Sequence, residues 1–406
     1  MKPAFRHAAV ACTFAFALIA AWRVAGELIA ERYAESEPER ALRWRPNDPR
    51  ARLVLAERQL AEGRLDRAKA NAVFVLQREP LQGTAFRILA EVAEREGRRP
   101  EAFEIYRIAE RRAPRDLRVR AWLTQRYLEQ GQYGQALIRI DRILRMSPLR
   151  ARTINPLLVK LAQDPRFADA LAEYLYGNPP WRRSVLAALR DPKAGNQAAA
   201  GRIMEALQAR GALSDEEYAR WLDSLLLQGR WGEAYARWAG LAPKAGGRLP
   251  IVFNGDFEKE PSNAGFDWRL RRVPGVLLEF EPAPGSRGKA AYFRFLGRRV
   301  PRAGFEQPLM LSPGPYRLDL RMRAQSLRSG LGLQWQVACA GSGGIIARSE
   351  PVEGTFGWRH AVVAFEVPNA GCPGQFLRLV NPVPVGTGQQ VVGEYWVDDI
   401  TIYPQK

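Results

Sequence analysis

The polar and aromatic side chains best suited to gripping a ligand lie in the last third of the chain. Arg317, Asp319 and Arg321 alternate with Tyr316, Leu318, Leu320 and Met322; Gln334 and Gln336 alternate with Leu331, Leu333, Trp335 and Val337 along a second strand. Guanidinium, carboxylate and amide groups are planar and make paired hydrogen bonds. Together with Arg378 and the ring of Trp358, they form the set a hydroxyl-rich ligand needs, provided that the polar face is the concave one. Trp335 and Trp396 read as core. Trp358 reads as core or as an exposed rim beside Phe356. Catalytic chemistry is poorly supplied. His7 and His360 are the only histidines, too few for an imidazole metal triad, and no Ser-His-Asp pattern or phosphate-binding glycine loop accompanies them. Glycoside hydrolysis needs two carboxylates across a cleft. Asp398 and Asp399 are adjacent, so on a strand they point to opposite faces. Glu279 and Glu281 share a face but alternate as exposed strand residues commonly do. A polysaccharide-active enzyme is therefore the least favoured reading, and no catalytic residue is assigned.

The elements that must position these side chains are strands. Near Gly246 the helical spacing stops, Gly and Pro become frequent and period-two alternation begins, so residues 247–406 read as an antiparallel β-sandwich. The opening Asn254-Gly255-Asp256-Phe257-Glu258 followed by Trp268, the turn Leu311–Tyr316 and the closing Tyr395-Trp396-Val397-Asp398-Asp399-Ile400 resemble the galactose-binding-like jelly rolls of carbohydrate-binding modules. The resemblance implies that the first and last strands are neighbours. It also implies a structural calcium near them, held by Glu258 and Asp399; the alternative is two carboxylates satisfied by the protein itself. It implies glycan binding; the alternative is a module that only packs on its neighbours. Cys339 and Cys372 fall in this region and would pair in an exported domain; the alternative is two buried thiols.

Upstream, Pro46, Pro80, Pro114 and Pro148 are spaced by 34 residues. Gly63, Gly97 and Gly131 keep step with them, as do Ala68, Ala102 and Ala136. The glycine ends one helix in a backbone few other residues adopt. The alanine lies where two helices cross, and the proline closes the unit. Units 49–82, 83–116 and 117–150 are thus helical pairs, and they resemble tetratricopeptide repeats. Arg52 and Arg120 depart from that pattern by standing where a large apolar residue is expected. Ser214 and Glu217 form a capping box, and Gly229 with Ala234 repeats the spacing in a divergent unit, 215–248. Residues 27–246 therefore read as one α-solenoid. Such arrays bind protein in the groove lined by the first helix of each pair, which makes Arg87, Glu91, Arg118 and Gln125 the candidate groove residues.

The start of the chain reads as an anchor. Lys2, Arg6 and His7 precede the apolar run Ala8–Trp22, and the helical pattern continues beyond Arg23. Residues 1–26 are expected to be an uncleaved signal anchor, with a cleaved signal peptide as the alternative. The preceding positive charge orients the segment with its N-terminus in the cytoplasm. The chain has 406 residues and a net charge of +18. Arginines and glutamates are interspersed rather than blocked, so nucleic acid is not an expected partner. The layout, with Pro179-Pro180-Trp181-Arg182 between helices and sandwich, resembles tetratricopeptide proteins of bacterial exopolysaccharide or O-antigen assembly. The sequence therefore reads as a multidomain protein: a membrane helix, a solenoid and a jelly roll. The expectation is a single-pass inner-membrane scaffold, largely periplasmic, that binds protein partners and polysaccharide. The alternative is a protein adaptor whose sandwich binds no sugar.

Overall fold

The computed structural model describes residues 3–191, 193, 197–241, 249–286, 288–341, 343–384 and 388–405, with side chains from residue 16 onward. The chain divides into two compact units, Met1–Ala188 and Leu189–Lys406.

The first unit is helical. It opens with α1 (Pro3–Tyr33) and α2 (Pro38–Trp44). The repeats follow as antiparallel pairs: α3 (Pro49–Ala61) with α4 (Leu65–Leu76), α5 (Gly83–Arg95) with α6 (Arg99–Arg112), and α7 (Leu117–Glu129) with α8 (Tyr133–Met146). α9 (Ala151–Leu161) and α10 (Pro165–Tyr176) follow, with α10 packed on α8, and α11 (Arg182–Arg190) runs across the division. The helices form where the sequence signals placed them. Gly63, Gly97 and Gly131 take φ of 76°, 79° and 69°, the left-handed conformation that ends each first helix. Ala68, Ala102 and Ala136 are fully buried at the crossings. Asp48 caps α3 by accepting the Ala51 N–H at 2.8 Å, with Pro49 as the first helical residue. The two unexpected arginines have a common explanation. Arg52 donates to the carbonyl of Pro46 at 2.8 Å, and Arg120 donates to that of Pro114. Each guanidinium thus ties its helix to the proline turn six residues earlier, where an aromatic ring would have packed.

The expected anchor falls in α1, but Met1, Lys2 and the side chains up to residue 15, including those of His7 and Cys12, lie outside the described residues. Among the described residues no helix is long and apolar enough to cross a membrane.

The second unit combines helices and strands. Its helices are α12 (Gln197–Ala209), α13 (Asp215–Leu227) and α14 (Trp231–Leu241). Ser214 and Glu217 make the expected capping box, and Gly229 takes φ 76° before α14. The composition boundary at Gly246–Arg248 lies outside the described residues. The change of compact unit comes much earlier, so the divergent helical pair belongs with the sandwich. The strands are β1 (Arg269–Leu270), β2 (Val276–Pro282), β3 (Lys289–Arg299), β4 (Arg302–Leu309), β5 (Gly314–Arg328), β6 (Gln334–Cys339), β7 (Ile345–Arg348), β8 (Gly354–Val367), β9 (Gln375–Val380) and β10 (Gln390–Pro404). They make two antiparallel sheets, β1-β4-β9-β6-β7 and β2-β3-β10-β5-β8. Between the sheets lies an aromatic core in which Trp268 stacks on Phe305 at 4.3 Å, with Phe257, Phe293, Trp335 and Tyr395 around them.

Two strand expectations are corrected. Residues 253–256 form a turn and 257–258 join no strand, with Asn254 and Phe257 at φ of 52° and 53°, in the left-handed region. Gly255 still lies against the last strand, its carbonyl accepting the Ile400 N–H at 2.9 Å. Leu331 does not share the apolar face of β6, which begins at Gln334; Leu331 is 54% exposed.

Candidate functional site

The four groove candidates separate into two kinds. Arg87, on α5, is 3% exposed. Its guanidinium reaches Glu57 on α3, Glu91 one turn along at 2.6 Å, and Asp116, the N-cap of α7, at 3.0 Å. Burial works against the charged form, but the three carboxylates outweigh it and hold the Arg87 pKa above its ordinary value. Arg87 is thus buried as a clamp that joins three successive first helices, while Glu91, on the same helix and 23% exposed, is tied to it. Arg126 continues the ladder, pairing with Glu94 at 2.7 Å and Glu129 at 2.6 Å. Arg118 and Gln125 are exposed on α7, and Gln125 donates to Glu129 at 3.0 Å. These two are available to a partner.

The seven ligand candidates do not share a face. Arg317, Asp319 and Arg321 on β5 and Trp358 on β8 lie on the outer side of the second sheet. Gln334 and Gln336 on β6 and Arg378 on β9 lie on the outer side of the first, on the opposite surface of the sandwich. Period-two alternation reports that a residue points away from the core but not from which sheet.

On the second sheet the side chains satisfy one another. Asp319 accepts from Arg317 at 3.1 Å and lies 3.2 Å from His360. Arg321 pairs with Asp399 at 2.8 Å and lies over the Trp358 ring, 5.1 Å from its centroid. Trp358 Nε1 donates to the Pro284 carbonyl at 2.8 Å, and the ring is half-buried. Nearby, Trp396 is buried under Tyr292, with the rings stacked at 4.9 Å.

On the first sheet the register lines up Arg269, Glu306, Arg378, Gln336 and Arg348 across five strands. This row is largely closed. Gln334 and Gln336 are 9% and 7% exposed; Gln334 donates to the Ser349 carbonyl at 2.8 Å, and Gln336 donates to Gln334 at 3.1 Å. Burial and the neighbouring Arg302 push the Arg378 pKa down. Helices α13 and α14 cover the adjoining part. Trp231 lies edge-on to Phe376 at 5.2 Å and to Phe266 at 6.0 Å, and a Cβ on Gly374 would meet its ring at 2.0 Å. Asp223 of α13 pairs with Arg269 at 2.6 Å. A cleft of ≈ 350 Å³ remains between α13 and the sheet, lined by Leu226, Leu227, Arg271, Glu306 and Pro308 among others.

The two carboxylates expected to hold calcium each have a partner within the protein. Glu258 accepts the Lys289 N–H at 3.0 Å, and Asp399 is engaged by the Arg321 cation. Among the described residues no three His, Cys, Asp or Glu side chains converge on a common point. Asp398 is buried and accepts from Ser286 at 2.9 Å; burial raises its pKa. The expected disulfide is present: Cys339 ends β6 and is bonded to Cys372, with Cα atoms 4.9 Å apart.

Sequence reasoning missed a cleft of ≈ 990 Å³ on the second-helix side of the array. Tyr133, Gln135 and Arg145 of α8 and Glu173, Tyr174 and Tyr176 of α10 line it. The signal was legible in the two tyrosines before Gly177, but the expected groove directed attention to the first helices.

No protein-family model matches the chain. Over 168 residues it is 34% identical to the cellulose synthase 2 operon protein C of Komagataeibacter xylinus; the match covers 39% of this chain and 12% of the length of that curated relative. Among solved structures it is similar to YrrB, described as a TPR protein with an unusual peptide-binding site, at 16% identity and a TM-score of 0.31, covering 50% of this chain and 99% of that one. It is also similar to a CBM4 structure at 13% identity and a TM-score of 0.30, covering 38% of this chain and 99% of that one.

Proposed function

We propose that the protein is a non-enzymatic scaffold in the synthesis or export of a cell-surface polysaccharide. Its N-terminal segment tethers it to the bacterial inner membrane, the bulk of the chain is periplasmic, and the first-helix face of the array recruits a protein partner. The Komagataeibacter relative, named for a cellulose synthase operon, supports the setting. The observation that carries the scaffold reading is the Arg87 clamp. By joining α3, α5 and α7 it makes their common face rigid before any partner arrives, which lowers the ordering cost of association. Arg118 and Gln125 stand exposed on that face.

Deleting the protein from its host should abolish the surface polymer. The wild-type chain should restore it, and a folded Arg118→Glu/Gln125→Arg chain should not. Wild-type polymer levels in the deletion strain would sink the reading. Alkaline phosphatase fused after residue 250 should be active; an inactive fusion would place the bulk of the chain in the cytoplasm.

A second reading concerns the sandwich alone: it braces the helical pair α13–α14 and binds no sugar. Trp231 seated on Phe376, Phe266 and Gly374 favours it, because that contact occupies a face on which a ligand would otherwise lie.

A further inference from the structure

Two clefts on the second-helix side of the array meet at one residue. The ≈ 990 Å³ cleft between α8 and α10 and a second of ≈ 490 Å³ between α6, the start of α7 and α8 are both lined by Arg145. Their combined charge is lopsided: Arg111, Arg120, Arg142, Arg145 and Arg166 face Glu110 and Glu173. Glu110 is already committed, since it pairs with Arg139 at 2.7 Å and lies 3.8 Å from Arg142.

Arg120 is the most telling of these. It is 6% exposed, and its Nε has no hydrogen-bond partner. Its other nitrogens meet only neutral acceptors, the Met146 sulfur at 2.6 Å and the Pro114 carbonyl. Burial and the nearby Arg142 push its pKa down. Glu110 is the carboxylate nearby, yet the hydrogen bonds of Arg120 go only to neutral acceptors; a buried cation held in this way is costly, and an anion in the cleft relieves that cost. The other end of the surface is aromatic. Tyr176 is 54% exposed, and Tyr174 is held by stacking on Trp181 at 6.0 Å, whose Nε1 donates to Asp141 at 2.9 Å. Asp141 also holds Arg145 at 2.7 Å, so ring and cation are oriented by one carboxylate. Tyrosine faces accept the C–H surface of a sugar ring, and arginine forks accept a carboxylate.

We propose that the α6–α8–α10 surface binds an acidic glycan, with sugar rings on Tyr174 and Tyr176 and uronate-type carboxylates on Arg142, Arg145 and Arg120. The need for an anion follows from the clefts alone; identifying the polymer as a glycan rests on the polysaccharide setting proposed above.

The test is native affinity electrophoresis of the full chain in gels containing polygalacturonate, hydroxyethyl cellulose or poly-glutamate. Polygalacturonate should retard it, and the neutral polymer should not. Arg142→Gln/Arg145→Gln should weaken retardation at least roughly tenfold, the scale of a lost charge-assisted hydrogen bond. Tyr176→Ala should weaken it about threefold to tenfold, the scale of one aromatic contact. Both sites are exposed, so the variants should fold. The proposal is overturned if polygalacturonate does not retard the chain, or if the neutral polymer retards it equally. Unchanged retardation of Tyr176→Ala would mean that only the +18 charge is being read. Poly-glutamate binding as tightly as polygalacturonate would make the surface an acidic-peptide site. Normal polymer export by the deletion strain would sink the proposed function and leave these binding results standing; loss of retardation would do the reverse.

Discussion

The sandwich and the array each set arginines beside aromatic rings, with opposite results. On the first sheet of the sandwich the row Arg269, Glu306, Arg378, Gln336 and Arg348 is largely closed, with Trp231 and Asp223 from the neighbouring helices filling the adjoining surface. On the second-helix side of the array, Arg142, Arg145 and Tyr176 remain exposed beside clefts, though Asp141 holds Arg145 and Glu110 lies near Arg142. The sandwich has spent this face on its own chain, whereas the array keeps an unfilled one, and it is the unfilled face that can take a ligand.

The largest expected effect tests the closed side. Trp231→Ala removes a ring that is 4% exposed and packed on Gly374, Phe266 and Phe376. It should cost about 3–5 kcal/mol, the range for truncating a buried aromatic. In a thermal melt, the transition of Leu189–Lys406 should fall while that of Met1–Ala188 stays in place. A loss below about 1 kcal/mol would mean that the helices do not hold the sheet, and the brace reading fails.

The corresponding change in the array is Arg87→Ala, which leaves Glu57, Glu91 and Asp116 facing one another. Removing one partner from a fully buried ion pair costs about 3–5 kcal/mol. Here the Glu57 side chain keeps 41% of its exposure, so about 2–3 kcal/mol is expected. Adding Glu91→Gln should recover part of the loss by relieving the repulsion. Urea unfolding followed by helical circular dichroism measures both. If the single variant proves neutral, Arg87 is not a clamp and returns to the groove.

Local rules made much of this legible. The 34-residue spacing, the glycines with positive φ, the buried alanines, the capping box and the disulfide were readable because each depends on residues close in sequence or on a pair of one type. What failed was long-range. Arg87 resembled a groove residue because its partners lie 29 and 30 residues away in neighbouring units. Gln334 and Arg317 alternated alike but belong to different sheets. The turn at Asn254–Phe257 mimicked a strand because its apolar residues are buried without being extended. The tyrosine cleft went unseen because it forms only when α8 and α10 pack.

The smallest expected effect is one of sign. In the array, Asp164 caps α10 and accepts from Tyr133, and that hydrogen bond holds its carboxyl below the usual range. A depressed acid stabilises the fold above its unfolded pKa of about 3.9, and that stabilisation is lost as pH falls through the lower folded value. In the sandwich, burial raises Asp267 and Asp398. A raised acid stabilises the fold at pH below its unfolded value, and that contribution is lost as pH rises through the folded one. Between pH 6 and pH 3, therefore, these groups pull the two melting transitions apart: the array loses stability on acidification and the sandwich gains. Tyr133→Phe should flatten the acid limb of the array, and Asp398→Asn that of the sandwich, each without touching the other transition. Because phenylalanine keeps the ring, Tyr133→Phe should also leave polygalacturonate retardation intact, separating the capping role of this residue from the cleft it lines. Parallel shifts of both transitions in the wild-type protein would show that overall charge, and not these buried and capped acids, sets the pH response.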